Sequence, residues 1–315
     1  MTSYTLGFDI GGTNLRGAVV DASGHICAHL SVPTPLQEEA LEAAIGDLAH
    51  TLCGQWSVIG VGVAIAGFLD RQRATVRFAP HLAWRNAPVR ARLEELLGLP
   101  VVLSHDADAA GWAEYRFGAV RGEPDWVYLS LGTGIGGAAM IAGELFRGGN
   151  GVSLEFGHLP VARGGQARPC PCGKRGCLEQ YCSGTALVDT ARELGFVSVT
   201  GETSGRAVTE AARRGEQGAV AAVGEVATWL GYALAMVADI IDPPVIVVGG
   251  GLAGEGDLLL PRARAVLAEQ MVGSGFRPVP AVVTAQLRGD AGVIGAADLA
   301  RTMGREYGVD TASMH

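Results

Sequence analysis

The sequence predicts an α/β protein built as two similar halves with a cleft between them. Each half opens on an apolar strand, a glycine-rich turn and a returning strand: residues 5–10, 11–14 and 15–20 in the first, 126–131, 132–137 and 138–141 in the second. After each hairpin, short buried-strand runs are interspersed with apolar residues at helical spacing. The repeated opening suggests a duplicated architecture, with the boundary between halves near residues 117–124.

In chain order, a third strand follows Asp21-Ala22-Ser23-Gly24 and completes a β-meander. Leu41, Ile45, Leu48 and Leu52 then recur on one helix face, and residues 58–65 form a buried strand closing at Gly67. Asn86 is expected to cap a helix whose apolar face is Leu93, Leu96 and Leu97 and which Gly98 ends. Residues 101–103 are a strand, and Asp106 opens a helix running to Phe117. In the second half a long helix spans about residues 219–240, and a strand at 245–248 ends in Gly249, Gly250 and Gly251. The polar tail from Gly304 is expected to fray.

Composition narrows the function classes. A chain of 315 residues with 48% hydrophobic and 18% charged residues can bury a sizeable core. A net charge of -8 argues against a nucleic-acid surface. No apolar run approaches the roughly 20 residues of a membrane helix; the best candidate, 232–248, is broken by Asp239, Asp242, Pro243 and Pro244. The first residues lack the basic and apolar regions of a signal peptide, so the expected location is cytoplasmic, with no membrane partner. Disulfides are disfavoured there; Cys27 and Cys53 read as buried free thiols, and Cys182 fits either a thiol or the cluster that precedes it.

Chemistry concentrates in residues 155–179, EFGHLPVARGGQARPCPCGKRGCLE. A segment so rich in Gly and Arg buries little apolar surface, so something else must order it. Cys170, Cys172 and Cys177 are close enough to clasp one ion, and His158 would complete a tetrahedral set for zinc. The alternatives are a disulfide or three free thiols; Cys-x-Cys closes a small, strained ring and argues against a local disulfide. A loop held in this way presents Glu155, His158 and Glu179 to a polar substrate.

Two turns, Gly11-Gly12-Thr13 and Gly132-Thr133-Gly134, offer backbone N–H groups that can surround phosphate oxygens, and neither matches GxxxxGK[ST]. Glycine-rich hairpin turns are common without ligands, but a third, Gly249 to Gly251, weakens that plainer reading. Asp9 is either an ordinary turn carboxylate or a holder of hydrated Mg²⁺ against nucleotide phosphates. Asp106 is either an N-cap or the group that accepts a proton from an attacking hydroxyl.

These segments together carry a family resemblance. DIGGT at Asp9, SHDADAAGWAE around Asp106, LGTGIGG at Gly132, EFGH at Glu155, CPCGKRGCLE ending at Glu179, VVGGGL and LRGDAGVIGAA occur in the order found in the ROK family (repressor, open reading frame, kinase). The resemblance spans nearly the whole chain, and EFGH followed by CxCGxxGCxE is its most specific part. It implies a two-domain actin-like ATPase (ribonuclease H-like) α/β fold with a cleft between domains and a zinc-held loop. Residues 1–117 plus about 290–315 would form the small domain and 118–289 the large one, with a helix at about 290–303 packing back on the first.

The resemblance also implies roles. Asp106 would be general base on a sugar hydroxyl. Gly67, His105, Glu155, His158 and Glu179 would contact the sugar, and His158, Cys170, Cys172 and Cys177 would ligate structural Zn²⁺. Asp9, Gly11, Gly12, Thr13, Asn14, Gly132, Thr133 and Gly134 would serve Mg²⁺ and the phosphates of ATP, with Gly249, Gly250 and Gly251 on the adenosine side. The stretches FAPHLAWRN and WAEYRFGA resemble actinobacterial glucokinases, so the implied reaction is ATP-dependent phosphorylation of glucose at the 6-hydroxyl. A homodimer or homotetramer is implied as well.

The chain departs from the family pattern in places: His105 stands where Asn is usual before the catalytic Asp, Ala66 replaces a frequent Pro, and His81 a frequent Asn. Asp108 resembles the polyphosphate-using members, which keeps polyphosphate open as a donor. Other hexoses or N-acetylhexosamines (N-acetylmannosamine, N-acetylglucosamine, mannose, fructose) are the alternative substrates. The family also includes sugar-responsive repressors, but eight residues before Asp9 are too few for a DNA-binding module.

Overall fold

The protein is described from a computed structural model covering residues 3–198 and 203–303; the expected fraying from Gly304 falls outside these residues. The chain forms two compact units, one comprising Met1–Glu123, Leu145–Ser153 and Gly289–His315, the other Pro124–Glu144 and Leu154–Arg288.

The first unit contains strands β1 (Tyr4–Ile10), β2 (Asn14–Val20) and β3 (Ile26–Pro33), helix α1 (Glu38–Cys53), β4 (Val58–Ile65), the short strands β5 (Phe68–Leu69), β6 (Val76–Phe78) and β7 (Arg85–Ala87), α2 (Val89–Leu97), β8 (Val101–His105) and α3 (Asp106–Phe117). Its main sheet runs β3-β2-β1-β4-β8. The first three strands form the antiparallel meander, and β4 and β8 extend the sheet in parallel from β1. Leu6, Phe8, Ile10, Val61, Val63 and Ile65 meet Leu41, Ile45, Leu48 and Leu52 of α1, the face the spacing predicted. β5, β6 and β7 make a separate three-stranded sheet. Runs of two or three residues are too short for an alternating pattern to register, so residue spacing carries no sign of this sheet.

Asn86 is not a helix cap. It lies in β7 with φ +48°, and α2 starts after Pro88, whose ring pre-sets a turn of backbone but offers no side-chain acceptor. Val89 and Leu93 bury, whereas Leu96 is 50% exposed. Gly98 takes the left-handed C-terminal position at φ +63°, as expected.

The second unit has β9 (Trp126–Leu131), β10 (Ile135–Ile141), β11 (Glu144–Leu145, whose second residue already belongs to the first unit), α4 (Gly184–Glu193), α5 (Gly205–Arg213), α6 (Gln217–Ile241), β12 (Val245–Gly249), α7 (Gly256–Gln270) and β13 (Ala281–Thr284). The sheet order is β11-β10-β9-β12-β13, with β9, β12 and β13 parallel. The β9–β10 turn is Gly132-Thr133-Gly134 rather than the six residues expected, because Gly136 and Gly137 already pair with Ser130 and Leu129. Helix α6 is long and apolar enough to span a membrane by length and composition, contrary to the sequence expectation. Ala222, Val226, Leu230, Leu234 and Ala238 lie in the unit's core, which accounts for that apolar character. Cys182 joins the same core, its thiol pushed up to about 12 by burial, whereas Cys27 and Cys53 are only half-buried.

The last helix, α8 (Ala291–Met303), returns to the first unit's sheet. Its approach is limited by backbone: a Cβ on Gly62 of β4 would stand 1.8 Å from the Ala296 carbonyl oxygen, and one on Gly295 equally close to the Ala109 carbonyl oxygen of α3. Asp298, fully buried, accepts from Trp112 Nε1 (2.9 Å), Arg116 Nε (2.8 Å) and Arg301 Nη1 (3.1 Å). Arg301 in turn donates to Thr5 Oγ1 and the Val20 carbonyl, so one carboxylate fastens α8 to α3 and the meander. Gly62→Ala should therefore cost about 1–3 kcal/mol of stability in urea unfolding, as overpacked cores do; an unchanged midpoint would show that α8 can yield.

Candidate active site

In the first unit, parallel pairing sets Ile10 beside Ile65 and Ile65 beside His105. The carboxyl ends of β1, β4 and β8 are thereby level, and the Gly11–Asn14 turn, Gly67 and Asp106 leave from one edge of the sheet, the edge where open α/β sheets place ligands. Thr34 fixes the turn, its Oγ1 donating to the Gly11 carbonyl (2.7 Å) and its N–H to that of Thr13 (2.9 Å). Gly12 packs under His81: a Cβ there would lie 2.7 Å from the His81 Cβ. Glycine at 67 is required in the same way, by Ala79 and the Phe78 carbonyl.

Asp106 is the first residue of α3, and the capping position belongs to His105, whose side chain makes no cap hydrogen bond. The N-cap alternative for Asp106 thus fails. Its Oδ1 accepts from the Ala107 N–H (2.8 Å) and lies 3.3 Å from His105 Nε2. Asp9, at the penultimate position of β1, faces the first turn of α8, where a Cβ on Gly292 would stand 2.6 Å from its Oδ2. Burial, and then the charge of Asp106, push the Asp9 carboxyl up to about 6 against the opposing pull of Arg16.

In the second unit the cysteine segment is irregular backbone fastened at many points. Pro160 bridges Cys177 and Pro169 bridges Arg175, Val161 N–H donates to the Gly176 carbonyl (2.8 Å), and Lys174 Nζ donates to the His158 carbonyl (2.8 Å). Arg168 ties the segment to the Gln180 carbonyl and, through Thr190 and Glu193, to α4. Ligand atoms of His158, Cys170, Cys172 and Cys177 all lie within 4.8 Å of one another. The Cys172 and Cys177 sulfurs are 3.6 Å apart, and Cys170 Sγ is 3.8 Å from His158 Nδ1. A tetrahedral site with Zn–S bonds of about 2.3 Å has S···S edges of about 3.8 Å, so the donor set fits zinc without rearrangement. At those distances no disulfide joins them, and all four cysteines of this region are free. Burial raises the Cys170 and Cys177 thiols; at Cys172 that upward push is overcome by the Lys174 N–H, the neighbouring thiols and the Lys174 charge, so Cys172 ionises first.

Glu179 and His158 sit against this cluster and against each other, with His158 Nδ1 3.5 Å from Glu179 Oε1 and His158 Nε2 4.0 Å from Glu155 Oε2. Glu179 also packs on the β9–β10 turn: a Cβ on Gly134 would meet its Oε2 at 2.5 Å. The nearby turn at Gly250 crosses β9 at Leu131, so Gly132 to Gly134 and Gly249 to Gly251 form one glycine-lined patch. Gly249 and Gly250 are glycine for packing against Tyr128 and Leu131, whereas a Cβ on Gly132 or Gly251 would meet no protein atom. Nothing within the fold demands glycine at those two positions; a phosphate or nucleotide approaching the backbone would, so the patch fits one.

Two features escaped the sequence. Arg73, in the β5–β6 turn, makes a buried ion pair with Asp108, and no spacing rule links residues in a turn to a helix 35 positions on. Asp21, His25 and Cys27 also gather in the β2–β3 hairpin, but the Asp21 Oδ1 there already accepts from Ser23 and His25 as a turn-former.

Comparison with known proteins agrees with this arrangement. The sequence model of the ROK family matches residues 5–303. A glucokinase of Streptomyces coelicolor is 42% identical over 94% of this chain and 97% of its own length, and one of Thermotoga maritima is 32% identical over 93% and 96%. Among solved structures, the ROK family glucokinase of Streptomyces griseus in complex with glucose and AMPPNP is 43% identical, with a TM-score of 0.85 over 95% of this chain and 99% of that one. Solved ROK sugar kinases have the two-domain actin-like ATPase fold, and the present α/β chain shares it. With its motifs in order and the whole domain pair matched, the chain belongs to the ROK family.

Proposed function

We propose that the protein is a glucokinase, transferring the γ-phosphoryl group of ATP to the 6-hydroxyl of glucose. The observation that carries this reading is the near-full-length likeness to glucokinases at 42–43% identity, including one holding glucose and an ATP analogue. The placement of Asp106 at the level strand ends supports its assignment as general base. With Oδ1 engaged by the Ala107 N–H and by His105, Oδ2 is the oxygen assigned to take the 6-hydroxyl proton. That oxygen of glucose then attacks the γ-phosphorus while the bond to the β,γ-bridging oxygen breaks and ADP departs.

Gly67, His105, Glu155, His158 and Glu179 are assigned to sugar recognition. Gly11, Gly12, Thr13, Asn14 and Gly132, Thr133, Gly134 are assigned to phosphates, and Gly249, Gly250 and Gly251 to the adenosine side. Mg²⁺ bound with ATP would neutralise charge on the phosphates, and Asp9 is the residue assigned to its hydration shell. Zn²⁺ would be held by His158 Nδ1, Cys170, Cys172 and Cys177 as a structural ion. That leaves His158 Nε2, on the Glu155 side, for a sugar hydroxyl. Assembly as a homodimer or homotetramer and a cytoplasmic location complete the reading.

A coupled assay over glucose, mannose, fructose, N-acetylmannosamine and N-acetylglucosamine, each with ATP or polyphosphate, tests the assignment. Glucose with ATP should give the highest kcat/KM, and negligible activity on glucose would end the reading. Asp106→Ala should lower kcat by about 10²–10⁴-fold with sugar binding retained, as loss of a general base does.

Purified protein should carry one zinc per chain, and chelation should raise the glucose KM and expose the 155–179 segment to protease. Stoichiometric zinc absent from carefully purified protein would remove the metal from the site.

Asp9 gives a pH signature in the ligand-free protein. Its folded pKa of about 6 lies above the ordinary 3.8, so between those values the native state binds the extra proton. Ionisation then removes stability as pH rises, on the order of 2–3 kcal/mol by the end of the window. The stability advantage of the wild type over Asp9→Asn should fall between pH 4 and pH 6.5 in urea unfolding. A difference that stays flat or grows would contradict burial as the cause.

A further inference from the structure

We propose that Arg73 and Asp108 are positioning residues: their buried ion pair holds the first turn of α3, and with it the Asp106 carboxylate, in the orientation that proton transfer needs. The proposal rests on the reading of Asp106 as general base.

The pair lies at the end of the turn between β5 and β6. Arg73 Nη2 is 2.6 Å from Asp108 Oδ2, and the two side chains are only 3% and 9% exposed. Three features make Arg73 a poor choice for stability alone. Its backbone has φ +52°, a region that residues with a β-carbon rarely adopt and that Gly or Asn would fill with less strain. Its guanidinium is withdrawn from water, and its Nε is buried without a hydrogen-bond partner. Buried pairs of this kind can often be exchanged for apolar residues of similar volume with no loss of stability. A strained, desolvated and incompletely satisfied arginine points instead to what it holds.

What it holds is a helix start that lacks a side-chain cap. Farther along, α3 is secured by α8, whose Gly295 backbone presses on Ala109 and whose Asp298 binds Trp112 and Arg116. His105, at the capping position of α3, makes no side-chain cap hydrogen bond, its Nε2 lying instead 3.3 Å from Asp106 Oδ1, and Asp106 accepts from the adjacent Ala107 N–H. Asp108 stands two residues beyond Asp106 in that same first turn, and Arg73 grips it from outside the helix. The turn that presents Arg73 is itself pinned: Asp70 Oδ1 accepts from the Ala74 N–H (2.8 Å) and the Thr75 N–H (3.1 Å), and the Arg73 N–H donates to the Asp70 carbonyl (3.0 Å). The rigid anchor is therefore the small sheet, and the part being located is the base-bearing turn. A charge-assisted hydrogen bond suits that task because it fixes the distance and direction of the carboxylate oxygen it grips, whereas an apolar contact tolerates sliding.

The test is a cycle of Arg73→Met, Asp108→Leu and the double variant, with Arg73→Lys as the conservative change. Each is measured for thermal midpoint, kcat and glucose KM. Single variants should lose kcat by tenfold or more with glucose KM within about twofold, and Arg73→Lys should recover part of kcat. The double variant, with no unpaired buried charge, should regain the thermal midpoint while kcat stays low. A double variant in which kcat returns together with the midpoint would reduce the pair to a structural contact and overturn the proposal, as would singles with unchanged kcat. If a single variant fails to fold, the double variant decides. Retained turnover in Asp106→Ala would remove the base reading, and the proposal with it, whatever the cycle gives.

Discussion

The level pairing of β1, β4 and β8 is the constraint on which the first unit's chemistry depends. Parallel strands in register bring their carboxyl ends to one edge, and three chemically distinct segments leave from it: a glycine turn, Gly67 and the Asp106 helix. A shift of one residue in β8 would turn His105 and Asp106 through half a pleat and away from that edge. The register is kept by α8, which lies so close to β4 that only hydrogen fits at Gly62. The buried Asp298 carboxylate then closes the arrangement by binding α8 to α3 and to the meander at once. Residues near the end of the chain thus decide where residues near its start can act.

The second unit solves a different problem. Its 155–179 segment runs as irregular backbone, and contrary to the sequence expectation apolar burial holds its ends: Phe156 and Leu178 enter the core, and Leu159 and Val161 pack against it. Between those ends, bridges at Pro160 and Pro169 and the Arg168 contacts to Gln180 and α4 hold the stretch, and four donors within 4.8 Å of one another would add a metal clasp. A metal held there would order His158 and Glu179 beside it and leave the His158 Nε2 and the Glu179 carboxylate for the substrate. In the proposed reaction, this is the part that selects the sugar, while Asp106 on the other unit moves the proton.

Charge is used sparingly but at cost. Asp9 is held in a setting that disfavours its ionised form, partly because Asp106 is near. Arg73 is buried with its Nε unpaired on a strained backbone. Neither would be chosen for stability alone. In the proposed reaction, a hydrated Mg²⁺ at Asp9 and a located Asp106 carboxylate would be the gains that offset the expense.

Much of this was legible from residue order. Apolar spacing located β1, β2, β4 and α1 nearly to the residue, because periodicity is a local property of burial. The EFGH and CxCGxxGCxE segments named four candidate donors that the fold brings together, since ligand type and short spacing survive in a linear reading. Local signals misled where tertiary contacts compete. Asn86 lost the helix start to Pro88, Leu96 was left half-exposed, and Gly136 and Gly137 were drawn into a strand by pairing across the hairpin. The apolar length of α6 reflects a core that surrounds it. By itself, then, the sequence determined the elements, the donor chemistry and the family. Only the tertiary structure decided that Ile10, Ile65 and His105 end level, that His81 covers Gly12, and that Arg73 grips Asp108. Those contacts join residues dozens of positions apart, and nothing in local spacing encodes which distant backbone can approach closely enough to make them.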